Sequence, residues 1–212
     1  MFDSKKLLAL AAGTAALIPA LAPAAIATPI VFNTSEDVGA PSRTRGAGSR
    51  GGCNVEEGSV QLSLAAPVTS SIGKTVSETP SFYWAIEGEL EAPIEFTLVE
   101  DGNPAPVFVE SFSPDEVRDG MMSVQLPEGS ELKEGKVYRW TVSMICNPSR
   151  RSADVFAQSW IERVNADVTP GASGVVAAQD YADANLWYDA MSALDLDSDR
   201  LAVMEVYSTP AL

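Results

Sequence analysis

The chain has 212 residues, of which 14 are Lys or Arg and 29 are Asp or Glu, so its formal net charge is −15 at pH 7. It contains no histidine and two cysteines. The missing imidazole excludes Ser-His-Asp and Cys-His catalysis and every histidine metal site. The acidic balance disfavours anionic partners, so we expect no nucleic-acid partner.

The first 27 residues have the pattern of a secretory signal peptide. Lys5 and Lys6 precede an apolar run over residues 7–18, and small residues follow at 25–27. We expect cleavage between Ala27 and Thr28. The alternative, a membrane anchor, is disfavoured because the run falls short of the ~20 residues that a spanning helix needs. The sequence therefore predicts an exported protein, periplasmic or extracellular, with no stable membrane span after cleavage.

Residues 28–58 are predicted to be a flexible Gly- and Arg-rich segment. Arg43, Arg45 and Arg50 concentrate positive charge on an otherwise acidic chain. One interpretation is a basic arm for an anionic partner such as a polysaccharide. The other is a linker whose charges only keep it solvated.

Seven runs with strand-like composition follow, separated by turn residues. They are Val60 to Ala65, Ser81 to Ile86, Ile94 to Glu100, Val107 to Phe112, Met121 to Leu126, Val137 to Cys146 and Val155 to Val164. In the sixth run Tyr138, Trp140 and Val142 share one parity, which predicts that these side chains face the core.

A leucine, a glycine and Tyr138 at the entry to the sixth run are typical of the corner between two strands of many β-sandwiches. There the tyrosine hydroxyl bonds back to the backbone that it has just left. Together these patterns predict a mainly β fold. We expect an antiparallel β-sandwich of immunoglobulin or fibronectin type III character over residues 59–165, with a short helical extension.

The apolar period changes after residue 171 to the spacing of a helix. We expect one helix from about Val175 to Leu194 and a second from an N-cap at Ser198 to Tyr207, giving a hairpin-like tail over residues 174–208. Two interpretations of Trp187 and Tyr188 stay open. These side chains either pack on the sandwich or form an interaction face for another protein.

Export makes a disulfide between Cys53 and Cys146 the default expectation. A zinc site is disfavoured because two thiolates without histidine bind zinc poorly. Two further patterns are weak. The Ser-x-x-Lys sequence from Ser71 to Lys74 lies in a predicted loop without its companion motifs, and Asp195, Asp197 and Asp199 begin like a calcium loop that lacks its glycine and glutamate. We predict no catalytic, cofactor-binding or metal residue.

Several short motifs occur in a fixed order. They are Gly-Ala-Gly-Ser-Arg-Gly-Gly-Cys (46 to 53), Thr-Pro-Ser-Phe-Tyr-Trp (79 to 84), Leu-Pro (126 to 127), Gly-Lys-Val-Tyr-Arg-Trp (135 to 140), Cys-Asn-Pro (146 to 148), Trp-Ile-Glu-Arg-Val (160 to 164) and Leu-Trp-Tyr-Asp-Ala-Met (186 to 191). In this order the sequence resembles the cyanobacterial family catalogued as domain of unknown function 928. The resemblance implies a secreted protein with a sandwich and a helical tail, and it implies no activity.

The functional hypothesis is a secreted, non-enzymatic binding or structural module with a protein partner in the envelope or periplasm. The alternative is a carbohydrate-binding module for envelope polysaccharide. A carboxylate-dependent hydrolase ranks third, because an acidic chain brings carboxylates together by chance.

Overall fold

The computed structural model describes residues 30–32, 53, 60–67 and 72–208. In this part of the chain the strands are β1 (Gln61–Leu64), β2 (Gly73–Thr75), β3 (Ser81–Glu87), β4 (Ile94–Glu100), β5 (Pro106–Phe112), β6 (Gly120–Gln125), β7 (Val137–Met144) and β8 (Val155–Arg163). The helices are α1 (Gly174–Asp183), α2 (Trp187–Ala193) and α3 (Asp197–Tyr207). The chain is therefore mainly β, as its alternation of apolar residues predicts.

The strands form two sheets. The small sheet has the order β1-β3-β6 and the large sheet the order β2-β8-β7-β4-β5. Aromatic side chains fill the space between them: the ring of Phe82 from the small sheet lies 5.0 Å from that of Phe96 and 5.2 Å from that of Trp140, both from the large sheet. We call residues 60–164 the two-sheet body.

The central strand β7 follows the predicted alternation. Tyr138, Trp140 and Val142 are buried, whereas Arg139 is exposed. The Tyr138 hydroxyl accepts a hydrogen bond from the backbone N–H of Lys133 at 2.9 Å. The expected tyrosine corner is therefore present at the entry to this strand.

Strand β2 was not predicted, and it corrects the expectation of a wholly antiparallel fold. Its three residues pair in parallel with β8, with Gly73 opposite Ile161. So short an edge strand has no alternation of its own and depends on its neighbour for stability. A Cβ atom at Gly73 would lie 2.6 Å from Cε2 of Tyr188, so α2 packs where only glycine leaves room. Ser71 lies outside the described residues.

The single helix expected over 175–194 is in fact two helices. The chain turns between α1 and α2 at Asn185, whose φ is 58°. Asparagine adopts this left-handed conformation more readily than most residues. After this turn α2 packs against β2 and β3, while α1 packs on α2. We call residues 174–207 the helical cap.

Helix α3 begins at Asp197 after Leu196, rather than after an N-cap at Ser198. Arg200 in its first turn is buried, and its guanidinium donates hydrogen bonds to the carbonyls of Met191 and Leu194 at the end of α2. It also forms an ion pair with Asp197 at 2.9 Å. A cation in this position satisfies carbonyl groups that the end of α2 leaves unpaired and complements its dipole.

Residues 30–32 depart from the flexible segment that the sequence predicts for 28–58. Ile30 and Phe32 are buried. The side-chain amide of Gln179 both donates to and accepts from the backbone of Val31, at 2.9 and 3.0 Å. The Phe32 ring lies 4.5 Å from that of Trp187 and 5.2 Å from that of Tyr207, so this short stretch ties the helices of the cap together.

Within the described ranges, no helix has both the length and the apolar character needed to cross a membrane.

Candidate ligand cleft

The side chains of Trp187 and Tyr188 are only 2% and 1% exposed. The interpretation in which they form an interaction face for another protein is therefore wrong. The Trp187 indole N–H donates to the carbonyl of Ala65 at 2.9 Å. The physical reason for the correction is that large aromatic groups gain more by entering the core than by facing water, provided that their polar atoms find partners. These two residues pack on the two-sheet body.

The Tyr188 hydroxyl joins the cap to two neighbouring strands of the large sheet, β7 and β8. It accepts a hydrogen bond from Nε1 of Trp140 at 2.7 Å and donates one to the carbonyl of Trp160 at 3.1 Å. Burial raises the pKa of this hydroxyl well above its ordinary value, and the hydrogen bond from Trp140 only partly opposes that effect. Tyr188 therefore stays neutral and holds α2 in a fixed position.

A cleft of about 540 Å³ opens beside this junction, between the two-sheet body and the cap. Its body-side wall comes from the end of β2, the segment that leads to β3, and β6. Its cap-side wall comes from α1, α2 and the loop before α1. The lining consists of Thr75, Val76, Ser77, Thr79, Pro80, Ser81, Gln125, Pro170, Gly171, Ala172, Ser173, Ala177, Tyr181, Tyr188, Asp189, Ser192 and Ala193.

The body-side wall carries a ladder of hydroxyl groups at alternate positions, Thr75, Ser77, Thr79 and Ser81. Thr75 is buried, whereas Ser77, Thr79 and Ser81 are half-buried, so the last three are the hydroxyls of this row that a ligand can reach. Two of the hydroxyls also shape the chain: Oγ1 of Thr75 accepts from the N–H of Ser77 at 3.0 Å, and Oγ of Ser77 accepts from the N–H of Thr79 at 3.2 Å. Such bonds from a hydroxyl to the N–H two residues further on fix the local turns of this segment, which bends at Glu78 and Thr79.

Asp189 belongs to the lining of the cleft and is 9% exposed. Its carboxylate accepts the backbone N–H of Val76 at 3.1 Å, which fastens α2 to the end of β2. Burial raises the pKa of Asp189, while hydrogen bonds from Thr75 and Val76 act in the opposite direction. The carboxylate is thus a fixed acceptor with little access to water.

The rim on the cap side is also held by a hydrogen bond. The N–H of Gly171 donates to the Asp180 carboxylate at 2.7 Å, which anchors the loop before α1. Tyr181, one residue further along α1, lines the cleft and is half-buried. A fixed rim and an aromatic wall give the cleft a preformed shape, as ligand sites commonly have.

The remaining predicted residues lie elsewhere or outside the described ranges. The sulfur atoms of Cys53 and Cys146 are at disulfide distance, 2.08 Å, with 4.2 Å between the Cα atoms, as the sequence predicts. The expected cleavage site, Ala27 and Thr28, lies outside the described residues. So do the three arginines of the basic arm, Arg43, Arg45 and Arg50.

The residues that resemble the start of a calcium loop, 195–200, make contacts within the helical cap instead. Arg200 takes the position where a calcium loop needs glycine and binds Asp197, while Asp195 approaches the backbone at Gly174. Within the described ranges, no group of three or more Cys, Asp or Glu side chains is arranged to hold a metal ion.

The cleft itself was not predicted from the sequence. Asp189 was present in the aromatic motif at 186–191, but nothing local indicates that it faces β2. One signal was available: hydroxyl residues at 75, 77, 79 and 81 alternate with other residue types. That pattern marks a polar segment between two strands, but it does not show which surface the segment faces. Chemically, the arrangement suits binding through hydrogen bonds, since hydroxyls and amides both donate and accept.

The family model described as Domain of Unknown Function (DUF928) matches residues 45–198, so the chain belongs to that family. A search of curated proteins found no match.

Proposed function

We propose that this member of the DUF928 family is an exported, non-catalytic binding module of the cell envelope or periplasm, and that its ligand occupies the cleft. The observation that carries the proposal is the preformed cleft at the junction of the two-sheet body and the cap. Its walls are fixed by the hydrogen bonds of Asp189 and Gly171. A rigid site lowers the ordering cost of binding, which favours recognition.

For the scaffold, we infer an immunoglobulin- or fibronectin type III-like sandwich. Support comes from the tyrosine corner at Tyr138 and from the order of the strands, in which three form one sheet while the central strand β7 lies between β8 and β4 in the other. In such scaffolds, ligand sites are built from the ends of strands and the segments that join them. The cleft lies in such a place, at the end of β2 and before β3.

The absence of histidine from the whole sequence supports a binding role over hydrolysis, because it removes the commonest general base. The expected protein partner was assigned to the face of Trp187 and Tyr188. Since both are buried, we move the ligand site to the cleft.

Site-specific photo-crosslinking tests the location. A photoreactive amino acid replaces Gln125, an exposed residue at the rim of the cleft, and in a control strain it replaces Ser111, an exposed residue of the edge strand β5. Irradiation of living cells should give a discrete adduct from position 125 and none from position 111. Equal labelling at both positions, or none at 125, would overturn the proposal.

Export has its own test. The protein recovered from periplasmic and extracellular fractions should begin at Thr28 when its amino terminus is sequenced. A chain that stays in the cytoplasm with residues 1–27 intact would contradict the export part of the proposal.

A further inference from the structure

The polar groups that line the cleft indicate which class of ligand it can bind. Its body-side wall offers the half-buried hydroxyls of Ser77, Thr79 and Ser81, and its cap-side wall adds Ser173 and Ser192. A hydroxyl both donates and accepts, so hydroxyls on both walls match a ligand that itself carries many hydroxyl groups. The amide of Gln125 on the rim adds a further donor and acceptor.

The cleft also has an aromatic wall. Tyr181 projects from α1 into the lining beside Ala177 and Ala193, both of which are small. Small neighbours leave the ring as the main apolar surface on that side. A tyrosine combines an apolar ring face with a polar tip, and such a surface suits a ligand with C–H faces and hydroxyl edges.

Charge excludes most other polar ligands. The lining contains no lysine or arginine, and its carboxylate is that of Asp189. The whole chain carries a net charge of −15, so a phosphate, sulfate or uronate group would meet a repulsive field without a cation to bind it. A cationic ligand is disfavoured as well, because the carboxylate of Asp189 is buried and already accepts hydrogen bonds from the end of β2.

We propose that the cleft binds an uncharged saccharide, held by hydrogen bonds from the hydroxyl ladder and stacked on the ring of Tyr181. The inference rests on the proposed binding function and names the ligand class of the same site. The hydroxyls of Ser81 and Ser192, on opposite walls, contact the hydroxyl edges of the sugar. Asp189 acts as a positioning residue, because it holds the ladder in place through β2.

The test uses the full mature protein and polysaccharide from the envelope of the source organism, separated by ion exchange into a neutral and an acidic fraction. Retention is measured by affinity electrophoresis in gels that contain either fraction. The unaltered protein should be retarded by the neutral fraction and not by the acidic one. Free sugars hydrolysed from the neutral fraction should relieve the retardation.

Substitutions in the lining of the cleft test whether retention of the protein depends on that site. Tyr181→Ala should weaken binding by about tenfold or more, the scale of a buried aromatic contact. Tyr181→Phe, which keeps the ring, should retain most of the binding. Ser192→Trp should fill the cleft and abolish retention, whereas Ser111→Trp adds the same bulk on β5 and should leave retention unchanged. Circular dichroism confirms that each variant is folded.

Three results would overturn the inference: retention by the acidic fraction alone, retention that Tyr181→Ala and Ser192→Trp leave intact, or no retention by either fraction. The failures are distinguishable. If the crosslinker at position 125 yields a protein adduct while neither polysaccharide retards the chain, the saccharide is wrong and the cleft is still the binding site. If position 125 yields no adduct at all, the binding proposal itself fails.

Discussion

The two-sheet body and the helical cap bury aromatic residues in different ways. In the body, the rings of Phe82, Phe96 and Trp140 enter the core because they occupy inward positions of alternating strands. In the cap, Trp187 and Tyr188 are adjacent in sequence and enter the core only because their polar atoms reach partners on the body. The cap therefore joins the core through specific hydrogen bonds as well as ring packing, whereas the two sheets pack through the inward side chains of alternating strands.

The largest effect is expected from removing the ring of Trp140, on which both regions pack. Trp140 is fully buried, lies 5.2 Å from Phe82 and 6.3 Å from Tyr188 between ring centroids, and donates to the Tyr188 hydroxyl. Trp140→Ala should therefore lower the free energy of unfolding by about 3–5 kcal/mol, the usual cost of an aromatic-to-alanine change in a core. Denaturant unfolding measures it.

The matched control for that variant is Trp160→Ala, on the neighbouring strand β8. Trp160 is half-buried and has the opposite parity, and it pairs with the exposed Arg139. Its loss should cost clearly less than that of Trp140. Equal costs for the two variants would mean that parity does not decide which tryptophan belongs to the core.

A smaller loss of stability is expected when only the hydrogen bonds of Tyr188 are removed and its ring stays packed. Tyr188→Phe keeps the ring but leaves Nε1 of Trp140 and the carbonyl of Trp160 without this partner. Leaving buried polar groups unsatisfied should cost about 1–3 kcal/mol in unfolding free energy.

Tyr181→Phe is the control, since it removes a hydroxyl from a half-buried tyrosine of α1 and should change stability by less than about 0.5 kcal/mol. If both variants prove equally stable, the hydrogen bonds of Tyr188 do not hold the cap.

The smallest effect concerns pH. Burial raises the pKa of Asp189 in the folded state, so the folded chain binds this proton more tightly than the unfolded chain does. The contribution of Asp189 to stability is fully present below the ordinary carboxyl pKa of about 3.9 and is lost as the pH rises through the raised value. The side chain of Asp189→Asn stays neutral at every pH. As the pH rises through the raised pKa, the unfolding free energy of this variant should therefore increase relative to that of the unaltered protein.

Unfolding free energies measured from acid to neutral pH test this sign. Asp167→Asn, at an exposed position after β8, is the control and should show no comparable trend. A stability difference between Asp189→Asn and the unaltered protein that stays constant with pH would contradict the account of the buried carboxylate.

Several features were predictable because they depend on residues close together in sequence. Strand β7 and its inward Trp140 follow from alternation, and the hydroxyl of Tyr138 binds a backbone group only five residues away. Strand β4 has the predicted limits for the same reason. The pairing of Cys53 with Cys146 spans 93 residues, but two cysteines allow a single partner choice.

Other features could not be predicted because their partners are far away in sequence. Strand β2 is stable only beside β8, and the helix that follows the turn at Asn185 packs on Gly73 of that strand. Residues 30–32 are ordered by Gln179 and Tyr207, which lie more than a hundred residues away. No local pattern carries this information.

The amino-acid sequence by itself determined the mainly β architecture, the inward face of its central strand and the cysteine pair, because short-range alternation, turn chemistry and residue count are enough for each. Only the tertiary structure decided that Trp187 and Tyr188 belong to the core and that Asp189, Tyr181 and the hydroxyl ladder share one cleft. The physical reason is that burial and juxtaposition depend on which surfaces meet, and here the helical cap meets the end of β2.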